Sequence, residues 1–287
     1  MSKAIGDYGM IGDLRTAALI SATGRRWPDF DSQARFASLL GDDANGSWTL
    51  GPKTSGDSIR SYLPGTLVLE TTFIQTGGAR VTLTDFMPFG TQHSSVVRIV
   101  RGVAGLSRMQ TCFAPRFDYG HAAPRLEKLP DQTWTAVTGP HRLALRSNVP
   151  LRCEKGDIAA EWLAEEGDTY FFTLQHSNSY LQPLPTPIDA EETERETVAY
   201  WKEWIARSGY RGSYREAVER SMLTLKGLTS GASGGFVAAP TTSLPEKVGG
   251  KRNWDYRFCW LRDAPLRCGC VRRIRSGIAH GFLVSKL

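Results

Sequence analysis

The stretch "RNWDYRFCWLRDA", residues 252–264, concentrates the aromatic and charged side chains of this sequence. Two Trp, a Tyr and a Phe alternate there with three Arg and two Asp. Sugar rings need both kinds of side chain, because their C–H faces stack on aromatic rings while Arg donates to hydroxyls and Asp accepts from them. On composition alone, a buried Arg–Asp ion pair inside an aromatic core is the more common arrangement. The residue types therefore leave both interpretations open.

Other side chains with chemical potential show no site-forming pattern. The histidines follow no ligand spacing and are predicted to be surface or core residues: His93, His121, His141, His176 and His280. The five Cys are odd in number, which argues against a disulfide framework, and Cys268 and Cys270 form a lone C-x-C. "GASGG" lacks the Lys-Ser/Thr of a phosphate-binding loop. We expect no metal and no cofactor.

No carboxylate pair stands out as a catalytic acid and base. Glu161, Glu165 and Glu166 lie in "EWLAEEGD", which we interpret as a solvated charged turn. Glu246 precedes the aromatic cluster, but nothing around it marks it as an acid or a base. The residues alone therefore point to no catalytic acid or base.

Residues 1–182 carry strand patterns. Six runs are rich in β-branched and aromatic residues: "TLVLETTFIQT", "ARVTLTDFMP", "SSVVRIVRGV", "TWTAVTG", "HRLALRS" and "TYFFTLQHS". Gly and Asp breaks separate them, and no long helix intervenes. This pattern predicts an antiparallel β-sandwich. One short helix is predicted in "DSQARFASLLG", with Asp31 or Ser32 as its N-cap.

A joint and a linker helix are predicted over residues 183–209. "QPLPTPID" forms an extended connector, and Asp189 can cap the helix that follows it. The apolar stripe of this helix consists of Val198, Trp201, Trp204 and Ile205. The fold class is thus mainly β with a helical C-terminal part.

A second helix is predicted from Ser213, with Glu216 completing a capping box. Its apolar face is Ala217, Val218, Met222, Leu225 and Leu228. Residues 210–264 are predicted to begin a helical domain that cannot close around its own core. We expect much of this second stripe to face water.

The positive charge is confined to one end of the chain. The net charge of +6 depends on the last 23 residues, 265–287, which hold five Lys or Arg and no acidic residue; the remainder has 30 basic and 29 acidic residues. A near-neutral body argues against a nucleic-acid partner. No apolar run reaches the roughly 18 residues of a membrane span, and the N-terminus has no secretory pattern. A cytoplasmic protein is expected.

Longer motifs bear a family resemblance. "GGFVAAPTTSLPEKVGGKRNWDYRFCWLRDA", residues 234–264, resembles the start of the catalytic domain of family 15 glycoside hydrolases, a family that includes glucoamylases and bacterial trehalases. "IGDYGMIGDLRTAALIS", "YLPGTLVLETTF", "VTLTDFMP" and "RFDYG" resemble the amino-terminal β domain of the trehalase-like branch. The resemblance covers nearly all of residues 5–264.

This resemblance implies a β supersandwich followed by the first helices of an incomplete (α/α)6 toroid. The family's Y-x-x-x-W-x-R-D pattern falls on Tyr256, Trp260, Arg262 and Asp263. By resemblance, Arg262 and Asp263 bind hydroxyls of a terminal glucose, while the two aromatic residues shape the pocket wall. Trp254 and Asp255 are further candidate pocket residues.

Family members hydrolyse α-glucosidic bonds of trehalose or α-glucans with inversion, a reaction that needs two carboxylates. The resemblance implies that both are Glu residues later in the toroid, so we expect this chain to be inactive alone. The alternatives are a non-catalytic sandwich that serves packing or carbohydrate binding, and a fragment without function.

Residues 265–287 lack a helical period and suggest a reading-frame error or truncation. The alternative is a basic arm that binds nucleic acid or a membrane.

Overall fold

The computed structural model describes residues 8–20, 35–36, 45–240, 252 and 254–259. Of the helix predicted within residues 31–41, only Arg35 and Phe36 are among these residues, so that helix stays a prediction, and the basic tail lies outside them. The strands, in chain order, are β1 (Gly9–Gly12), β2 (Ala17–Ile20), β3 (Ser47–Pro52), β4 (Gly56–Tyr62), β5 (Leu69–Gln75), β6 (Arg80–Phe86), β7 (Ser95–Ala104), β8 (Ser107–Ala114), β9 (Arg125–Lys128), β10 (Trp134–Thr138), β11 (His141–Ser147), β12 (Arg152–Glu154), β13 (Asp157–Ala164) and β14 (Thr169–Ser177). Two helices follow, α1 (Ala190–Ala206) and α2 (Arg215–Gly227).

Two antiparallel sheets form a sandwich, as the strand patterns predicted. The larger has eight strands in the order β4-β5-β6-β7-β14-β11-β10-β9, and the smaller has four in the order β12-β13-β8-β3. The hairpin β1-β2 forms a separate two-stranded sheet. Tight turns set the registers of neighbouring strands. Between β10 and β11, for example, Gly139 takes a φ of +55°, a conformation that glycine adopts without a steric penalty.

The sandwich core lies between the two sheets. Trp48 of β3 packs edge-on against Phe113 of β8, with 5.3 Å between ring centroids. On the facing sheet, buried apolar side chains of β6, β7, β11 and β14 complete the same cluster. The core also holds an ion pair, in which Arg98 Nε donates to Asp85 Oδ1 at 2.7 Å and Arg98 Nη1 donates to the Trp48 carbonyl. Buried charges persist where they are paired in this way.

The first helix begins where the sequence predicted. The Asp189 carboxylate accepts a hydrogen bond from the Glu192 amide at 2.9 Å and caps α1. Trp201, Trp204 and Ile205 are buried and Val198 is half-buried, so the predicted stripe is confirmed. Among the described residues, neither helix is long and apolar enough to cross a membrane.

The second helix corrects two predictions. It begins at Arg215 after Tyr214, and no side chain caps it, because Ser213 and Tyr214 form a turn before the first intrahelical bond, from the Val218 amide to the Tyr214 carbonyl. The predicted Ser213–Glu216 capping box is therefore wrong.

The expected exposure of the apolar stripes is also wrong. Met222 and Leu228 are buried, Leu225 is half-buried, and Ala217 alone of the predicted face is exposed. The cover that the sequence did not reveal comes from the outer face of the eight-stranded sheet, where Phe86, Val97 and Ile99 cluster with both helices. Leu67 and Val68, in the turn before β5, join the same cluster. The sheet thus has a second core on its outer side. The predicted domain boundaries at residues 182, 209 and 264 stay predictions.

Candidate functional site

The described part of the aromatic cluster, residues 254–259, is fastened to the stretch that follows α2. The Ala239 amide donates to the Tyr256 carbonyl at 2.9 Å, and the Ala238 amide donates to the Phe258 carbonyl at 3.3 Å. These two bonds hold the cluster beside residues 238–239 in a short backbone pairing.

Residues 228–237 are held in turn by the body of the protein. The Val237 amide donates to the Leu228 carbonyl at 3.0 Å, and Thr229 forms an isolated bridge with Phe236. The Gly231 amide reaches the Leu14 carbonyl in the turn between β1 and β2 at 2.6 Å. The cluster is therefore held in place by residues 228–239, which are themselves hydrogen-bonded to the end of α2 and to the turn of the first hairpin.

An ion pair organises the cluster. Arg257 Nε donates to both oxygens of Asp255, at 2.8 and 3.0 Å, and the Arg257 amide donates to Asp255 Oδ1 at 3.0 Å. The Arg257 side chain is 11% exposed and that of Asp255 is 27% exposed. Hydrogen bonding to Asp255 raises the pKa of Arg257, and Tyr119 reinforces the shift. Asp255 thus fixes the turn and orients the guanidinium.

Tyr119 brings the sandwich into contact with this pair. Its side chain hydrogen-bonds Arg257. Tyr119 belongs to the "RFDYG" turn, where Asp118, Tyr119 and Gly120 have φ values of +51°, +55° and +104°. Left-handed non-glycine residues are uncommon and cluster at functional or strained sites. A Cβ at Gly120 would lie 2.7 Å from Asn45 Nδ2, so the turn needs glycine there.

The aromatic side chains of the cluster are only partly covered. Trp254 is 45% exposed, Phe258 is 58% exposed and Tyr256 is half-buried. The Asp255–Arg257 pair therefore does not lie inside a closed aromatic core. The arrangement presents flat ring surfaces beside oriented polar groups. Such surfaces can stack on the C–H face of a sugar, and such groups can hydrogen-bond its hydroxyls.

The predicted site residues divide into two groups. The structure brings Trp254, Asp255 and Tyr256 together in one turn. Trp260, Arg262 and Asp263 lie outside the described residues, so their roles stay predictions. Sequence reasoning missed Arg257 and Tyr119. The composition of "RFDYG" offered a signal, because Asp, Tyr and Gly in sequence are typical of a tight turn.

Three of the histidines lie together in the fold. His176 Nε2 is 3.3 Å from His141 Nδ1, and His93 Nδ1 is 3.1 Å from the His176 carbonyl. Burial, Arg35 and the neighbouring histidines together lower the pKa of His176 to about 3, and burial is the largest cause. The described residues contain no group of three or more side chains suited to a metal ion.

The acidic candidates separate by environment. Glu161 lies on β13, where it accepts a hydrogen bond from Lys53 Nζ at 2.6 Å, and this bond lowers its pKa. Glu165 and Glu166 lie at the following turn and are exposed. Glu161 thus corrects the prediction that all three lie in a turn. Glu246 is outside the described residues.

Two family matches cover most of the chain. Residues 1–149 match the family described as "Trehalase-like, N-terminal", and residues 212–273 match "Glycosyl hydrolases family 15". The first match spans the hairpin and most of the sandwich, and the second contains α2, residues 228–239 and the aromatic cluster.

Curated relatives match along nearly the whole chain. Trehalase from Thermoplasma volcanium is 35% identical over 89% of this chain and 42% of its own length. Trehalases from Mycolicibacterium smegmatis and Mycobacterium tuberculosis are 34% and 32% identical, over 91% of this chain and 43% and 42% of their lengths. The chain thus spans about two-fifths of the length of these relatives. It belongs to the family described as "Trehalase-like, N-terminal", and residues 212–273 add a match to family 15 glycosyl hydrolases.

Proposed function

We propose that this chain is the amino-terminal part of a glycoside hydrolase that cleaves terminal α-glucosidic bonds, in trehalose or α-glucan oligosaccharides, with inversion. The two family matches, in the order β domain then catalytic start, carry this proposal. Relatives that match most of this chain are named trehalase, which favours trehalose as substrate. The cytoplasmic location expected from the sequence stays a prediction.

The proposed roles follow the family pattern and the local geometry. Arg262 and Asp263 would each bond hydroxyls of the terminal glucose, with Tyr256 and Trp260 as pocket wall. Trp254 exposes an aromatic face and is the candidate for stacking. Asp255, whose two oxygens both accept from Arg257, would shape the turn and would not bind sugar directly.

The 287-residue chain is proposed to be inactive by itself. Inverting hydrolysis needs an acid for the leaving oxygen and a base for the attacking water, with the two carboxyl groups about 6.5–9.5 Å apart. The carboxylates that the sequence offered, Glu161, Glu165 and Glu166, are exposed at a strand and its turn, and Glu161 is paired with Lys53. These environments do not favour an acid–base pair.

The test is release of glucose from trehalose and from maltose by the purified chain. We expect none above the buffer control. Glucose release that disappears when a carboxylate of this chain is changed to its amide, for example Glu161→Gln, would contradict both the proposed inactivity and the assignment of the catalytic pair to later residues.

A non-catalytic packing role is the second candidate. Its supporting observation is the outer face of the eight-stranded sheet, which holds α1 and α2 through a buried apolar cluster. On this alternative the sandwich would scaffold the helical domain without touching substrate. Equal activity of a catalytic domain expressed with and without residues 1–182 would contradict it.

A further inference from the structure

A cavity of about 620 Å3 lies between the eight-stranded sheet and the proline-rich connector. Its volume is typical of small-molecule sites. Its wall consists of residues 91–93, Gln175 of β14 and residues 182–188 of the connector. None of these lining residues is an Asp, Glu, Lys or Arg. The cavity is therefore lined by three glutamine amides, two threonine hydroxyls, an imidazole, three proline rings and the aliphatic side chains of Leu184 and Ile188.

Two arginines of β11 hydrogen-bond the connector and hold it in place as one wall of the cavity. Arg142 donates to the carbonyls of Tyr180, Gln182 and Pro183 at 3.2, 2.8 and 2.8 Å. Arg146 Nη2 donates to the Pro185 carbonyl at 2.8 Å. Extended proline-rich backbone makes no internal hydrogen bonds, so its carbonyls are available to such donors. The cavity is bounded by a fastened segment on one side and by the sheet on the other.

Gln175 presents a donor to this cavity. Its side chain is buried, and Oε1 accepts a hydrogen bond from Arg146 Nη1 at 2.7 Å. Because Arg146 can only donate, this bond fixes which end of the amide is oxygen. The Nε2 group has no hydrogen-bond partner among the described residues, and Gln175 lines the cavity.

His93 presents an acceptor. Its Nδ1 is 3.1 Å from the His176 carbonyl, which only accepts, so Nδ1 carries the hydrogen. In the neutral ring Nε2 is then an acceptor. The Thr91 hydroxyl donates to the His93 carbonyl at 2.8 Å and holds this stretch in place. The wall thus contains an oriented donor and an oriented acceptor.

We propose that this cavity is a binding site for a neutral polyhydroxylated ligand, a saccharide. A hydroxyl group both donates and accepts, so Gln175 Nε2 and His93 Nε2 complement it, and the rings of Pro183, Pro185 and Pro187 offer apolar surface to C–H faces. The absence of charged side chains in the lining disfavours phosphorylated or acidic sugars. The site shares no residue with the 254–263 cluster, so it does not rest on the proposed hydrolase activity.

The experiment is titration of the 15N-labelled chain with trehalose and with maltose, followed through backbone amides and glutamine side-chain NH2 signals. We expect shifts concentrated at residues 91–93, at Gln175 and at the non-proline residues of 182–188. Gln175→Glu keeps the oxygen that Arg146 binds but removes the donor, and it should weaken affinity about tenfold, because one hydrogen bond to the ligand is lost and a charge is added to the lining. His93→Phe keeps a ring but removes the acceptor and should weaken affinity similarly.

The matched control is Gln110→Glu, the same change at an exposed site on β8, and it should leave affinity unchanged. No shift in any signal at the highest sugar concentration would overturn the proposal. Shifts confined to residues 254–259 would also overturn it, because they would assign binding to the aromatic cluster. Unchanged affinity in both folded variants, checked by circular dichroism, is the third contrary result. A failure of glucose release leaves all these outcomes unaffected.

Discussion

Asp13 is a carboxylate buried in the turn between β1 and β2. Its Oδ1 accepts hydrogen bonds from the amides of Arg15 and Thr16, both at 2.9 Å. Burial nevertheless dominates and raises its pKa to about 6. A carboxyl whose pKa is higher in the folded protein stabilises the fold below its unfolded pKa of about 3.9, and this contribution is lost as pH rises through about 6.

The change Asp13→Asn should therefore stabilise the protein relative to the parent once the pH is high enough to ionise Asp13. Asparagine retains an Oδ1 that can accept from both amides but carries no charge to desolvate. Relative to the parent, the free energy of unfolding of the variant should rise between pH 4 and pH 7.5 by up to roughly 3 kcal/mol, since two pKa units are worth about that much. Urea denaturation at both pH values measures it. A constant difference between the two proteins would show that Asp13 is not desolvated.

Asp263→Asn tests the sugar site in a protein that continues with a complete catalytic domain. Asparagine keeps the shape and one acceptor but removes the charge. If Asp263 bonds a glucose hydroxyl, kcat/KM should fall by about one to two powers of ten, since a charge-assisted bond is worth roughly 1.5–3 kcal/mol. Thermal stability should change little. A destabilised variant with near-normal activity per folded molecule would assign Asp263 to a structural ion pair.

The sequence identified the aromatic and charged cluster as a candidate sugar site, and that role stays a prediction. Its local shape, in which Asp255 accepts from the Arg257 amide, could not be predicted. The contact between Arg257 and Tyr119 could not be foreseen, because strands β9–β14 and both helices separate the two residues along the chain. Such contacts depend on tertiary packing, which local patterns do not encode.

At the scale of elements, the inner strands of the large sheet were predictable from the sequence, whereas its edge strands and the smaller sheet were not. The six predicted runs correspond to β5, β6, β7, β10, β11 and β14, which are all the strands of the large sheet except its two edge strands. The smaller sheet was missed although β8 and β13 alternate buried and more exposed residues, since the end of β13 was interpreted as part of a charged turn. The sequence analysis also missed β4, "GDSIRSY", and β12, "RCE", whose residues are mostly exposed. Their strand character comes from backbone pairing with β5 and β13, and composition carries little trace of it.

The connector offers a prediction at this scale. Arg142→Ala removes three hydrogen bonds to the carbonyls of residues 180–183. The free energy of unfolding should fall by about 2–4 kcal/mol, and chymotrypsin should cut after Tyr180 and Leu181 faster than in the parent. Arg125→Ala is the control, since its ion pair with Glu127 is exposed and should contribute less than about 1 kcal/mol. Equal cleavage of the two variants would show that the arginine does not hold the connector.

For the whole molecule, the structure reverses an expectation about protease resistance. The uncovered second stripe expected from the sequence would have left a resistant core ending near residue 183. Trp201 and Met222 are instead fully buried against the sheet, so limited proteolysis should leave a fragment that extends beyond α2. Trp201→Ala should cost about 3–5 kcal/mol and shorten this fragment. Mass spectrometry of the fragments decides, and a parent fragment ending near residue 183 would contradict the packing described here.

Strand β7 is buried on both faces, which limits the part of this chain that recombination can transfer to another gene. Val96 and Val100 face the sandwich core, while Val97 and Ile99, between them, belong to the cluster with the helices. Recombination that transfers residues 1–182 alone to another gene would carry an uncovered apolar sheet face, which favours aggregation. The smallest portable unit is the sandwich together with α1 and α2, so gene fusions that preserve the β domain should have their junctions after residue 228.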